Sequence, residues 1–249
     1  MRTLNKVGLF LSTILAVSAL SIPDANAQRR FGSRGLGGDM ALGIGLSTVS
    51  AGQDDLNGAI DDAVDAGASI KNLGSAWEFY VNWSYRFSGT IYAFVFRPSY
   101  FMQKTDGSSP SGSYDYNLTG YTVFPIFRLY PLENSFIKFY MQTGLGYGSL
   151  SGEIKAAGKN LEFKGSAFGA MGGIGAEFCF TAAHCLTVEG NLRYMPIERN
   201  LTTGGNCSTG SDIPGISQCG GSSEVERGGS DLKTTMSGVQ GLIGYTMNF

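Results

Sequence analysis

Few residues in this chain could do chemistry. Its 249 residues include one histidine and four cysteines. His184 lies in CFTAAHC, between Cys179 and Cys185, while Cys207 and Cys219 lie in TTGGNCSTGSDIPGISQCGGSSEVERGG. Thiolates with an imidazole could ligate a metal or run redox chemistry, but C-x5-C with a single histidine is a poor fit to a zinc site. Carboxylates and cations recur at alternating positions of apolar stretches: Glu78, Arg86, Arg97, Arg128, Lys138, Glu177, Glu189 and Arg193. Paired carboxylates suit acid–base catalysis. The competing reading is a set of ion pairs, because buried charges must be partnered. A third group, Asp54, Asp55, Asp61, Asp62 and Asp65, offers oxygen ligands but lacks the alternating spacing and turn glycine of an EF-hand loop. No cofactor or metal site is expected from these patterns.

The elements that must position these residues begin after a leader. Arg2 and Lys6 precede an apolar run over 7–20, and ANA at 25–27 is a small-x-small cleavage site. This predicts a secretory signal peptide over 1–27. A basic periplasmic lead follows over 28–37, with Arg29, Arg30 and Arg34, and then a folded body over 38–249. Export permits disulfides. Charged residues make up 15% and aromatics 12%, which excludes a disordered chain, and a net charge of −2 gives no reason to expect nucleic acid.

Beyond the leader the dominant period is two. Met40, Leu42, Ile44 and Leu46 share one face, as do Trp77, Phe79, Val81, Trp83, Tyr85 and Phe87. Six further stretches alternate in the same way: 90–102, 121–130, 136–148, 166–178, 186–196 and the last, GVQGLIGYTMNF. Tight turns follow the second, fourth and sixth strands, and long loops over 50–75, 103–116, 149–164 and 198–232 follow the others. One face is aromatic and apolar; the other carries glycines and the eight charges named above. In a soluble sheet the polar face meets water. Here an apolar outside and a narrow polar inside suit a closed transmembrane barrel, which also pairs every backbone group in hydrocarbon. The fold class expected is all-β: an eight-stranded antiparallel barrel with short periplasmic turns and long extracellular loops. Pro98 and Pro125 fall inside strands, where a bulge or a strand end near each is expected. Leu56, Ile60 and Val64 predict a short amphipathic helix in the first loop.

On this architecture Cys179 and Cys185 flank a short hairpin turn, Cys207 and Cys219 share the last loop, and any other pairing crosses the membrane. Disulfides 179–185 and 207–219 are therefore expected. The interior charges count three acidic against five basic, leaving a narrow, weakly anion-preferring path as the residual functional reading.

FPIFRLYPLENSFIKFYMQTGLGYG, GGIGAEF with LTVEGNLRY, and the terminal YTMNF resemble the OmpW-like and OmpA-like small outer-membrane barrels. The resemblance implies a cell outer-membrane location with both termini periplasmic. It implies lipid and lipopolysaccharide as surroundings, and recognition of Tyr245, Met247 and Phe249 by the barrel assembly machinery. A lipid-A deacylase barrel needs a His–Ser pair at the outer end, where this chain has no histidine. The function expected is a non-enzymatic surface barrel that binds an unknown extracellular ligand through its loops. The alternative is an OmpW-like narrow channel for small or hydrophobic molecules.

Overall fold

The computed structural model describes residues 39–208, 212–221 and 223–249. The expected signal peptide and basic lead lie outside the described residues. Eight antiparallel strands form a closed ring: β1 Asp39–Val49, β2 Ala76–Arg86, β3 Tyr92–Ser109, β4 Gly112–Glu133, β5 Ile137–Ala156, β6 Lys159–Cys179, β7 His184–Tyr194 and β8 Gly238–Asn248. Each pairs with the next, and β8 closes on β1 with Leu42 opposite Met247 and Ile44 opposite Tyr245. Closure leaves no free edge in the hydrocarbon.

Two of the four expected long loops are not loops. β3 and β4 continue to a tight turn at 110–111, and β5 and β6 to one at 157–158, so most of 103–116 and 149–164 is strand. The polarity of the alternation inverts there instead of ending. On β5 the outward side chains are Phe139, Met141, Leu145 and Tyr147, then Ser149, Ser151, Glu153 and Lys155; the inward ones are Tyr140 and Gln142, then Leu150 and Ile154. The apolar-outside stretch is roughly the 9–11 residues that a tilted spanning strand needs. Above it the same strands are polar outside and apolar inside, as in a water-soluble barrel.

Both prolines sit where the ladder breaks. Between β2 and β3 pairing runs to Tyr80 opposite Ser99 and resumes at Trp83 opposite Phe96, leaving Pro98 in the gap. Between β4 and β5 it runs to Val123 opposite Tyr147 and resumes at Ile126 opposite Gly144, leaving Pro125 in the gap. Register is unchanged across both, so the missing proline donors are absorbed without a bulge.

The two remaining loops fold inward. Helix α1, Asp54–Asp65, buries Leu56, Ala59, Ile60 and Ala63. Val64, expected on the apolar face, is exposed. A row of Leu56, Ile60 and Val64 spaced by four drifts around a helix of 3.6 residues per turn, and Ala59 and Ala63 complete the buried stripe in its place.

Candidate functional site

Among the described residues, the lumen is where the structure gathers most of the charges singled out by sequence. It is filled in two layers. In the lower, polar layer Glu189 of β7 is the centre. Its carboxylate accepts from Arg97 Nη2 (2.7 Å), Arg128 Nη2 (2.9 Å), Tyr140 Oη (2.7 Å) and Gln142 Nε2 (2.8 Å). Arg128 also donates to Glu177 at 3.1 Å, and Tyr130 Oη donates to the same carboxylate at 3.0 Å. Glu78 accepts from Arg193 Nη1 (2.7 Å) and Gln240 Nε2 (2.6 Å). The Arg97 and Arg128 guanidinium groups lie 5.1 Å and 3.9 Å from the ring centres of Tyr80 and Tyr140. Charge-assisted contacts of this kind offset the cost of holding the ions away from water.

Not all eight charges named from the sequence share this layer. Arg86 and Lys138 are half-buried strand-end residues. Arg86 forks onto Glu133 at 2.8 and 2.5 Å, and Lys138 stands opposite Glu177 and Glu133 in the ladders. The fully buried set is Glu78, Glu177 and Glu189 against Arg97, Arg128 and Arg193. Three against three is neutral, which removes the electrostatic basis for an anion-preferring path. Glu133, the partner of Arg86, went unnoticed in the sequence because it sits in the PLENS turn, outside the alternating pattern.

The upper layer is apolar. Phe101, Tyr116, Leu150 and Phe163 point in from the walls and meet Leu56 and Ile60 of α1 and Ile213, Ile216 and Leu232 of the last loop. Met195 and Met236 bring their sulfurs to the space over Gly148, where a Cβ would stand. A side chain at this strand position would have to displace the methionine sulfurs. Together α1 and the described residues of 196–237 form a cap. It is tied to the β5–β6 tip by Lys159–Asp212 (3.1 Å) and Asn160–Asn206, and to itself by Arg227–Asp62 (3.1 Å). On its outside Lys233 Nζ bonds Glu198 at 2.9 Å, and that hydrogen bond raises the Lys233 pKa above its ordinary value.

Both cysteine pairs are disulfides: Cys179–Cys185 across the β6–β7 hairpin, and Cys207–Cys219 within the cap. Glu177 lies close to the first pair, but its carboxylate already holds Arg128 and Tyr130, and the sulfurs are bonded to each other, so the trio is no metal centre. His184 stacks on Tyr245 with ring centres 5.8 Å apart, and its Nδ1 shares a hydrogen bond with the Tyr245 hydroxyl at 2.5 Å. Of the first-loop acids, Asp62 pairs with Arg227 and Asp55 accepts the Lys233 backbone N–H. At the end of β8, Tyr245 and Phe249 are exposed and Met247 is half-buried; the Phe249 N–H reaches the Met40 carbonyl at 2.9 Å.

The ring of strands finds counterparts among solved structures. The outer membrane protein OprG from Pseudomonas aeruginosa aligns over 86% of this chain and 96% of its own, with a TM-score of 0.55 at 12% identity. The chain has the fold of a small outer-membrane β-barrel. A major outer membrane protein from Thermus thermophilus aligns over 84% of this chain and 99% of its own, with a TM-score of 0.51 at 11% identity. No protein-family model matches the sequence, and no curated protein is similar to it. At such identities the likeness concerns fold alone, and the activity of the barrel must be argued from its own residues.

Proposed function

We propose that this barrel is an exported, non-enzymatic protein of the cell outer membrane, with both termini in the periplasm and the cap facing outward. It acts as a structural or surface-binding protein through that cap. One observation carries the reading: the lumen is filled twice, by a neutral ion-pair network and by an apolar layer sealed with the chain's own loops. A barrel of eight strands has little interior beyond its own side chains. What remains to meet a partner is the cap, held in shape by Cys207–Cys219. Planar-bilayer recording of the folded protein tests this, with no channel events expected. Deletion of 200–230 should abolish surface binding while leaving the barrel folded.

The second reading is a narrow channel for small or hydrophobic molecules. It draws on the two ladder interruptions beside Pro98 and Pro125, where the wall lacks part of its pairing. Reproducible conductance, or uptake of apolar solutes that is lost when the cap is locked to the wall, would favour it. A lipid-modifying activity predicts a changed lipid A mass on expression; an unchanged spectrum is expected.

A further inference from the structure

We infer that the Glu78–Arg193 ion pair is a latch through which the polar layer of the barrel holds the cap in place. Three chain segments carry the cap, at 51–53, 195–197 and 234–237, and they converge on the last of these. Gln53 grips the Thr235 backbone on both sides, donating to its carbonyl at 2.7 Å and accepting from its N–H at 3.0 Å. Met236 N–H donates to the Met195 carbonyl at 3.1 Å, and Met195 N–H donates to Ser237 Oγ at 2.7 Å. The Met236 carbonyl then accepts from Arg193 Nε at 2.6 Å. Arg193 is the one charged residue among those described that bonds both the polar layer and a segment carrying the cap.

The burial of this pair makes the link consequential. The Arg193 and Glu78 side chains are 1% and 0% exposed, and Arg193 has two partners among the described residues, the Glu78 carboxylate and the Met236 carbonyl. Glu78 in turn accepts from Gln240 and Ser47 of β8 and β1, which fixes it to the wall. If the Glu78 charge is removed, the guanidinium is left buried among neutral oxygens alone, and a buried cation without a counter-charge is costly enough to move toward water. Its movement takes away the bond that ties 234–237 to the polar layer. The cap is thereby coupled to the charge state of the lumen, whatever the cap binds.

Glu177→Gln is the matched control, because Glu177 bonds Arg128 and Tyr130 at the far end of the same layer and, among the described residues, makes no bond to the cap. The test is limited trypsin digestion of the full mature chain folded in detergent micelles. Arg199, Arg227 and Lys233 report on the cap, and Lys104 and Lys155 on the paired strands. Cap cleavage in E78Q and in R193M should rise about tenfold, since proteolysis follows the population of the locally open form. Wall cleavage and heat-modifiable migration should stay as in the wild type, and E177Q should resemble the wild type at every site. Unchanged cap cleavage in both latch variants would overturn the inference. So would parallel cleavage of cap and wall, or a cap loosened equally by E177Q.

Discussion

Arg128 of β4 and Glu189 of β7 meet at 2.9 Å across a lumen, although two strands stand between them in the wall. The contact spans the ring and does not follow the ladder. Each charge reaches its partner because neighbouring inward positions are glycines: a Cβ on Gly175 would strike the Tyr140 ring, and one on Gly173 the Asn191 amide. Small residues on the inner wall thus leave room for a few large polar ones to meet in the middle. Such an interior is a packed core made of ions and amides.

The first prediction concerns that core. Glu189→Gln leaves Arg97 and Arg128 sharing a neutral amide, while both remain nearly inaccessible. Breaking a buried pair from one side costs about 3–5 kcal/mol. The urea midpoint for unfolding from micelles should fall accordingly, and Arg97→Met combined with Glu189→Gln should recover part of the loss. Full additivity of the two single variants would show that the pair is not coupled.

The disulfides should differ in what they stabilise. Cys207–Cys219 closes a loop whose Ile213 and Ile216 insert into the apolar layer. In the chain-entropy account a loop of that length is worth about 3 kcal/mol. Replacing both cysteines with serine should lower amide-exchange protection across 196–237 and leave β1–β8 protected. Cys179–Cys185 joins residues already opposite each other in the β6–β7 ladder, so its removal should change little. Equal effects of the two would count against a cap that opens on its own.

Glycine positions supply a contrast. A Cβ on Gly45 would collide with the Ile243 carbonyl oxygen and the Tyr80 hydroxyl, and a backbone oxygen cannot step aside. Gly45→Ala should destabilise the barrel by about 1–3 kcal/mol. Gly190 faces outward with nothing within 4 Å, so Gly190→Ala should be neutral or mildly stabilising, because alanine loses less freedom in a strand. Parallel urea titrations in micelles measure both.

Much of this barrel was legible in the sequence, and the failures have a common cause. The aromatic face of each strand marks the lipid belt, so the strands were visible wherever Phe, Tyr and Trp recur at period two. That face stops after Met102, before Tyr121, after Tyr147 and before Phe168, and the chain beyond reads as loop if only the outer face is followed. The inner face keeps its parity: Tyr114, Tyr116 and Leu118 continue the even-numbered series of Phe124, Ile126 and Arg128. Following that series would have extended β4 to its turn. The interior charges were identifiable by their alternation, but their partners were not. Register and barrel shear decide which side chains meet across the lumen, and neither is written in one strand. The cap was hidden for the same reason, since Ile213 and Met236 are apolar residues in segments rich in glycine and serine, and Met195 reads as the end of a strand.

The polarity inversion gives the last prediction. Leu145 and Ser151 are both outward positions of β5, on either side of the change near 148–149. Leu145 is 72% exposed and belongs to a continuous outward apolar band with Phe139, Met141 and Tyr147, a patch of the kind that marks a hydrocarbon surrounding. Leu145→Arg should therefore cost about 1–2 kcal/mol on folding into lipid vesicles, between the costs of a cation at the bilayer midplane and at its interface. Ser151→Arg lies above the belt, beside Lys164 and within reach of Glu153 and Glu162, and should change stability by less than about 0.5 kcal/mol. Guanidinium titrations of vesicle-folded protein separate the two. Equal costs would place the membrane boundary above Ser151 and would make the upper walls part of the spanning barrel. The same pair should be indistinguishable in a water-soluble setting, so a difference that persists after detergent is replaced by an amphipathic polymer belt of the same height supports the boundary as drawn.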